Sequence, residues 1–106
     1  MQTQIAFRHM ESSEAIKEYV HRKLQRLSRF NEFLFDASIT LSMDHHRAVA
    51  EFVFAVKGDT LKCSEESEDM YASIDRGLDT AERMIRRYRD QKRERGKKPE
   101  PSEGLE

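Results

Sequence analysis

Residues 36–44, Asp-Ala-Ser-Ile-Thr-Leu-Ser-Met-Asp, alternate without a break. Ala37, Ile39, Leu41 and Met43 fall on one face, and Ser38, Thr40 and Ser42 on the other. A strand of this pattern has one buried face and one wet face. Any helices must then cover the same side of the sheet, which restricts the fold to two layers. Residues 2–8 form a short strand in which Thr3, Ile5 and Phe7 alternate with polar or small neighbours. Residues 48–56 form another, with Ala50, Phe52, Phe54 and Val56 inward and Glu51, Val53 and Ala55 outward. Lys57-Gly58-Asp59 is a three-residue hairpin signal. Residues 60–64 make the last strand, with Leu61 and Cys63 inward, and residues 65–68 an acidic linker.

Two segments carry helical periodicity. Ser12 and Ser13 are both suitable N-caps, and a helix follows to about Phe30. Ile16, Tyr19, Val20, Leu24, Leu27 and Phe30 form its apolar arc. Arg22, Arg26 and Arg29 group on one flank, and Lys23 lies at the edge of the arc, where its stem can pack while its ammonium reaches water. The second helix opens at about Glu68 or Asp69 and runs to about Arg95. Met70, Tyr71, Ile74, Gly77, Leu78, Ala81, Met84, Ile85 and Tyr88 share one face. Gly77 is unfavourable in a helix by about 1 kcal/mol against alanine, so its place on the apolar face predicts close approach to the sheet. Arg76, Arg83 and Arg87 form a ridge on the opposite face. After Tyr88 no apolar residue follows until Leu105, so the helix end is expected to overhang the domain. Phe30-Asn31-Glu32-Phe33-Leu34-Phe35 is an aromatic turn expected to close the lower end of the core.

The element order is β-α-β-β-β-α, an α+β fold with a four-stranded sheet and two helices on one face. The helix between the first two strands makes a crossover, so these pair in parallel and the hairpin-connected strands pair antiparallel. With 106 residues and a hydrophobic fraction of 37%, the chain supports one domain, expected over residues 1–95. Residues 96–106 contain two prolines and end acidic, the composition of a disordered tail.

Net charge is only −1, but it is segregated. From Arg83 to Lys98 nine basic residues stand against Asp90 and Glu94, a net of +7. A solvated helix would look similar; so would a surface patterned for an anionic partner. Arg22, Arg26 and Arg29 are explained equally by an ordinary solvated flank. If the two helices lie side by side, however, their basic residues line a common groove: Arg22, Lys23, Arg26 and Arg29 from one, and Arg76, Arg83, Arg86, Arg87, Arg89, Lys92 and Arg93 from the other. Arginine forks suit phosphate, and structured RNA is recognised largely by shape and backbone. The wet sheet face offers serine, threonine and valine rather than the aromatics of a base-stacking sheet.

Other chemistry finds little support. The sequence has no Gly-rich phosphate loop, no Cys-x-x-Cys and no His-x-x-x-His. His45 and His46 are adjacent on a turn with no further ligands at metal-binding spacing. No nucleophile, base and oxyanion set can be assembled, so neither an enzyme, a cofactor, a metal nor a small-molecule substrate is expected. Cys63, the lone cysteine, reads as a small buried hydrophobe. No apolar run approaches membrane-spanning length and the N-terminus shows no signal-peptide pattern, so no membrane partner is expected and the cytoplasm is the expected compartment.

Glu68-Asp69-Met70-Tyr71-Ala72-Ser73-Ile74-Asp75, following Ser64-Glu65-Glu66, resembles the ribosome hibernation-promoting factor family, which includes protein Y and was once called sigma-54 modulation protein. The resemblance extends from Met1-Gln2 through residues 14–20 and Lys23-Leu24 to about Arg93. It implies a fold similar to double-stranded RNA-binding domains. It also implies binding in the small-subunit channel for mRNA and tRNA, on ribosomal RNA and in whole ribosomes, which silences translation in idle or stressed cells. Lys23, Arg26, Arg83, Arg87, Arg89 and Arg93 stand where the family commonly has lysine or arginine. Thr80 departs from a frequent lysine, and Arg76-Gly77 from the usual helix-favouring pair. The chain looks like a short form of the family, with a tail between the patterns that favour and block ribosome dimers. Two rivals remain open at this point. One is a general double-stranded RNA binder. The other is a protein-interaction module regulating transcription, with Phe33 and Phe35 as anchors if exposed.

Overall fold

The computed structural model describes residues 1–97, with side chains described as far as Lys92. The elements are β1 (Gln2–Arg8), α1 (Glu14–Leu24), a 3-10 segment (Gln25–Phe30), β2 (Leu34–Asp44), β3 (Arg47–Val56), β4 (Asp59–Ser67) and α2 (Met70–Lys97). The strands form one sheet in the order β1-β2-β3-β4. β1 pairs with β2 in parallel, from Gln2 opposite Asp36 to Arg8 opposite Ser42, and the other two pairings are antiparallel. Both helices lie on one face, as the alternation in β2 requires: Ala37, Ile39 and Leu41 are buried beneath them while Ser38 is exposed. The core joins these residues to Ala50, Phe52 and Phe54 of β3, to Val20, Leu24, Leu27 and Phe30, and to Ile74, Leu78, Ala81 and Ile85 of α2.

Several local expectations are corrected. The first helix does not stay α-helical to Phe30; it tightens to 3-10 after Leu24. Leu24, Leu27 and Phe30 are all buried, and their spacing of three stacks them on one line only in a three-residue turn. Of the two serines, Ser13 is the N-cap, accepting from Ile16 N at 3.2 Å. β2 starts at Leu34, two residues early, with a register shift between Leu34 and Asp36. That irregularity leaves Phe35 without a cross-strand partner and 47% exposed, as a bulged residue is. Phe30 is buried and Phe33 half-buried, so the aromatic turn closes the core with two rings and exposes the third.

The β3–β4 hairpin has a two-residue turn, not three, because Val56 pairs directly with Asp59. Gly58 takes φ +89° in that turn, a backbone state glycine adopts freely. β4 extends to Ser67 and absorbs much of the expected acidic linker, since Ala48, Val49 and Ala50 of β3 pair with Ser67, Glu66 and Glu65. Glu65 faces the helix layer, where its carboxylate accepts from Thr80 Oγ1 at 3.0 Å. α2 continues through Lys97; the rest of the tail expected over 96–106 lies outside the described residues.

Gly77 makes the close approach that its position predicts. It is buried, and a Cβ there would overlap the Phe52 ring, lying 2.9 Å from Cδ1. Cys63 Sγ reaches Gly77 O at 3.7 Å on the same contact line. Burial, and then the charge of Glu65, push this thiol up to about 11, so it is protonated and unreactive near neutrality. Two buried serines fasten the start of α2. Ser73 Oγ donates to Ala48 O at 2.6 Å and lies 2.7 Å from Ser67 Oγ, which leaves neither hydroxyl without a partner.

Candidate nucleic-acid interface

The stretch 68–75 folds as a docking device for α2. Asp69 caps the helix: its Oδ2 accepts from Ala72 N at 3.0 Å, satisfying an amide that the first turn leaves free. Met70 and Ile74 enter the core. Tyr71 does not; it is 38% exposed and stands edge-on to Tyr19 of α1, ring centroids 4.8 Å apart. Tyr19 OH donates to Asp75 Oδ1 at 2.6 Å. That hydrogen bond, with burial and the charge of Asp75, pushes the phenol up to about 12. The side chains of this motif thus hold helix to helix and helix to sheet.

The contacts that follow show that the helices run parallel. Tyr19 and Lys23 meet Asp75, Arg26 meets Asp79 and Glu82, and Arg29 meets Glu82. The groove between the helices is therefore not lined by bases alone. Arg26 Nη2 lies 2.8 Å from Asp79 Oδ1 and 2.6 Å from Glu82 Oε1; Arg29 Nη2 is 2.5 Å and Arg86 Nη2 3.1 Å from Glu82 Oε2. One carboxylate thus serves three guanidinium groups. Lys23 Nζ is 3.8 Å from Asp75. Sequence reasoning passed over these acids. Their signal was present: Asp75, Asp79 and Glu82 recur at steps of four and three, and so share a face of α2.

The hydrogen bond from Arg26 is the main cause holding the Glu82 carboxyl below its usual range, against a smaller opposing effect of burial. A carboxylate with a lowered folded pKa adds stability above the ordinary carboxylate range, and loses it as pH falls through the lowered value. The Glu82 side chain is 18% exposed, but its arginine partners are 36–52% exposed and screened by solvent. We expect Glu82→Gln to destabilise the protein by about 1–2 kcal/mol at neutral pH. Thermal unfolding from pH 7 to pH 2 should show wild type and variant converging at the acid end. A gap that stays constant across this range would contradict the ion-pair account.

The remaining predicted site residues separate into two surfaces. Arg22, Arg76, Arg83 and Arg87 are exposed, and among the described residues none of them takes part in an ion pair. Arg76, Arg83 and Arg87 span twelve residues of α2, about 16 Å of helix. Arg83, Arg86 and Arg87 line a shallow open depression with Asp90 and Gln91. Arg89 and Lys92 belong to the second surface, at the lower end of the sheet, where they meet Arg29, Glu32, Phe33, Lys57, Gly58 and Tyr88 around a cleft. Lys57 is a basic residue of this surface that sequence reasoning did not select. Arg93 lies on α2, its side chain outside the described residues. Among the described residues no helix is long and apolar enough to cross a membrane.

Residues 3–93 match the family model described as sigma 54 modulation protein / S30EA ribosomal protein. The ribosome hibernation promotion factor of Deinococcus radiodurans is 33% identical over 108 residues, covering 95% of this chain and 56% of its own. The chain thus spans about half the length of that relative. The ribosome hibernation promoting factor of Salmonella typhimurium is 29% identical over 90 residues, covering 85% of this chain and 95% of its own. Among solved structures, the N-terminal domain of Thermus thermophilus protein Y superposes with a TM-score of 0.77 at 34% identity, over 83% of this chain and 99% of that one. A ribosomal subunit interface protein from Coxiella burnetii has a TM-score of 0.80 at 21% identity, over 85% of this chain and 99% of that one, a likeness of fold. With its family model matched over nearly all of the described domain, the chain belongs to the sigma 54 modulation / S30EA ribosomal protein family.

Proposed function

We propose that this protein is a ribosome hibernation factor. It binds the small ribosomal subunit through ribosomal RNA of the mRNA and tRNA channel, in free subunits and in whole ribosomes, and inhibits translation in idle or stressed cells by occupying that channel. It does so without catalysis or a cofactor, in the cytoplasm. The observation that carries this reading is the exposed ridge of Arg76, Arg83 and Arg87, charged and uncompensated by ion pairs among the described residues, in a chain of this family. Guanidinium groups at fixed spacing on a rigid helix match the phosphates of a folded RNA more closely than they match base edges. The paired arginines of the seam hold the two helices as one body, so the ridge and Arg22 are presented together. The likeness of the fold to double-stranded RNA-binding domains, drawn from the family resemblance, belongs to the same proposal.

The test is displacement. Small subunits carrying a fluorescent mRNA fragment should release it as the protein is added, with a competing short RNA duplex in large excess having little effect. Equal competition by the duplex would favour a general double-stranded RNA binder. Retention of the mRNA at saturating protein would remove the channel from the account.

A further inference from the structure

The cleft at the lower end of the sheet sets two rings that pack against the core, Phe33 and Tyr88, beside cations that the arginine ridge does not use. Its floor is aromatic: the Phe33 and Tyr88 rings lie with centroids 6.0 Å apart and planes tilted by 34°. Its rim carries Arg29, Lys57, Arg89 and Lys92 beside the acid Glu32; Arg29 is paired with Glu82, and Arg89 with Asp90 at 3.2 Å, so Lys57 and Lys92 are the rim cations outside any ion pair among the described residues. The frame is fixed. Tyr88 OH donates to Lys57 O at 2.6 Å, and Lys57 N donates to Phe33 O at 2.9 Å, so α2, the β3–β4 turn and the start of β2 are tied at this point. Gly58 holds the turn at φ +89°, and its Cα lies beside Tyr88 OH, where a Cβ would make ordinary contact at 3.6 Å. Lys92 Nζ sits 5.6 Å from the centre of the Tyr88 ring, a cation resting where another planar or charged group could lie.

Aromatic rings below and cations above are the two requirements for holding an unpaired nucleotide: the base stacks and the phosphate is neutralised. A bare phosphate would use only the rim, and an apolar ligand would leave Lys57 and Lys92 unanswered. We propose that this cleft is a binding site for a single unstacked nucleotide, its base against Phe33 and Tyr88 and its phosphate among Lys57, Arg89 and Lys92. The source of the nucleotide is either a flipped-out unit of bound RNA or a free nucleotide. The inference rests on the ribosomal reading only for the first of these sources.

Nuclear magnetic resonance titration of the whole chain separates the possibilities. Adenosine and uridine 5′-monophosphates should shift the Phe33, Gly58, Tyr88 and Lys92 signals in a saturable way, while ribose 5-phosphate should bind about tenfold more weakly. A single-stranded RNA loop that shifts the same signals at lower concentration than the mononucleotides assigns the site to RNA; mononucleotides binding more tightly than the loop assign it to the free ligand. The double variant Lys57→Glu, Lys92→Glu, altered only at exposed positions, should weaken nucleotide binding by about tenfold or more and leave the Tyr19 and Tyr71 signals unmoved. Equal shifts from ribose 5-phosphate and the nucleotides would overturn the proposal in favour of a plain anion site, as would no shift at all. The two readings fail separately. Ribosome binding without nucleotide shifts overturns only the cleft, and nucleotide shifts without ribosome binding uphold the cleft and overturn the ribosomal function.

Discussion

Gly77→Leu is expected to unfold the protein or leave it molten, and Gly77→Ala to lower its stability by about 2 kcal/mol. An alanine inside a helix ordinarily gains about 1 kcal/mol over glycine. Here the sign reverses, because the first added carbon falls inside the Phe52 ring. Phe52 cannot step aside freely: it is fully buried and stacks on Phe54, centroids 6.1 Å apart and planes within 11°. Relief must come from α2 lifting off β3 and β4, and that movement would also strain the hydrogen bond from Ser73 to Ala48 O. The check is thermal unfolding of the alanine variant. A loss of that size in a chain of this length lowers the melting temperature by about 8–16 °C. A melting temperature equal to or above wild type would show that the close packing of helix on sheet is not tight at this point.

Much of this architecture was legible because its signals are periodic. The unbroken alternation in 36–44 fixed the wet face of the sheet, and Gly77 on an apolar helix face announced the contact with Phe52. Elements set by pairing with a distant strand were less visible. Glu65 and Glu66 look like linker by composition, yet the chain holds them in β4 because Val49 and Ala50 need partners. The bulge at Phe35 and the 3-10 turn after Leu24 arise where two elements must meet in space, which local propensity does not encode. The site divides in the same way. The Arg76, Arg83 and Arg87 ridge follows from helical spacing alone. The sharing of Glu82 by Arg26, Arg29 and Arg86 depends on the parallel alignment of α1 with α2, and the basic residues alone cannot distinguish a guanidinium held in such a pair from a free one. Lys57 was missed because it is a lone cation on a hairpin turn, brought to Arg89 and Lys92 only by the docking of that turn on α2.

Reversal of the ridge is the second large effect. The variant Arg76→Glu, Arg83→Glu, Arg87→Glu should keep its fold, since all three side chains are exposed and none joins the helix seam. Its affinity for ribosomes should fall on the order of a hundredfold or more, because three phosphate attractions become three repulsions. By contrast, alanine at the same positions should flatten the salt dependence of binding, by roughly one unit of logarithmic slope for each phosphate that no longer meets an arginine. Reversal at Glu66, an exposed acid outside both the ridge and the cleft, serves as the control for nonspecific charge.

The most direct measurement is sedimentation of purified ribosomes through sucrose with the protein added, at low and at moderate salt. The account predicts that wild-type protein travels with small subunits and whole ribosomes at low salt and is released as salt rises, while the folded triple reversal stays at the top of the gradient throughout. Wild-type protein left at the top at low salt, with the ribosomes intact, would contradict the ribosomal function. Wild type and triple reversal travelling alike would place the binding surface elsewhere.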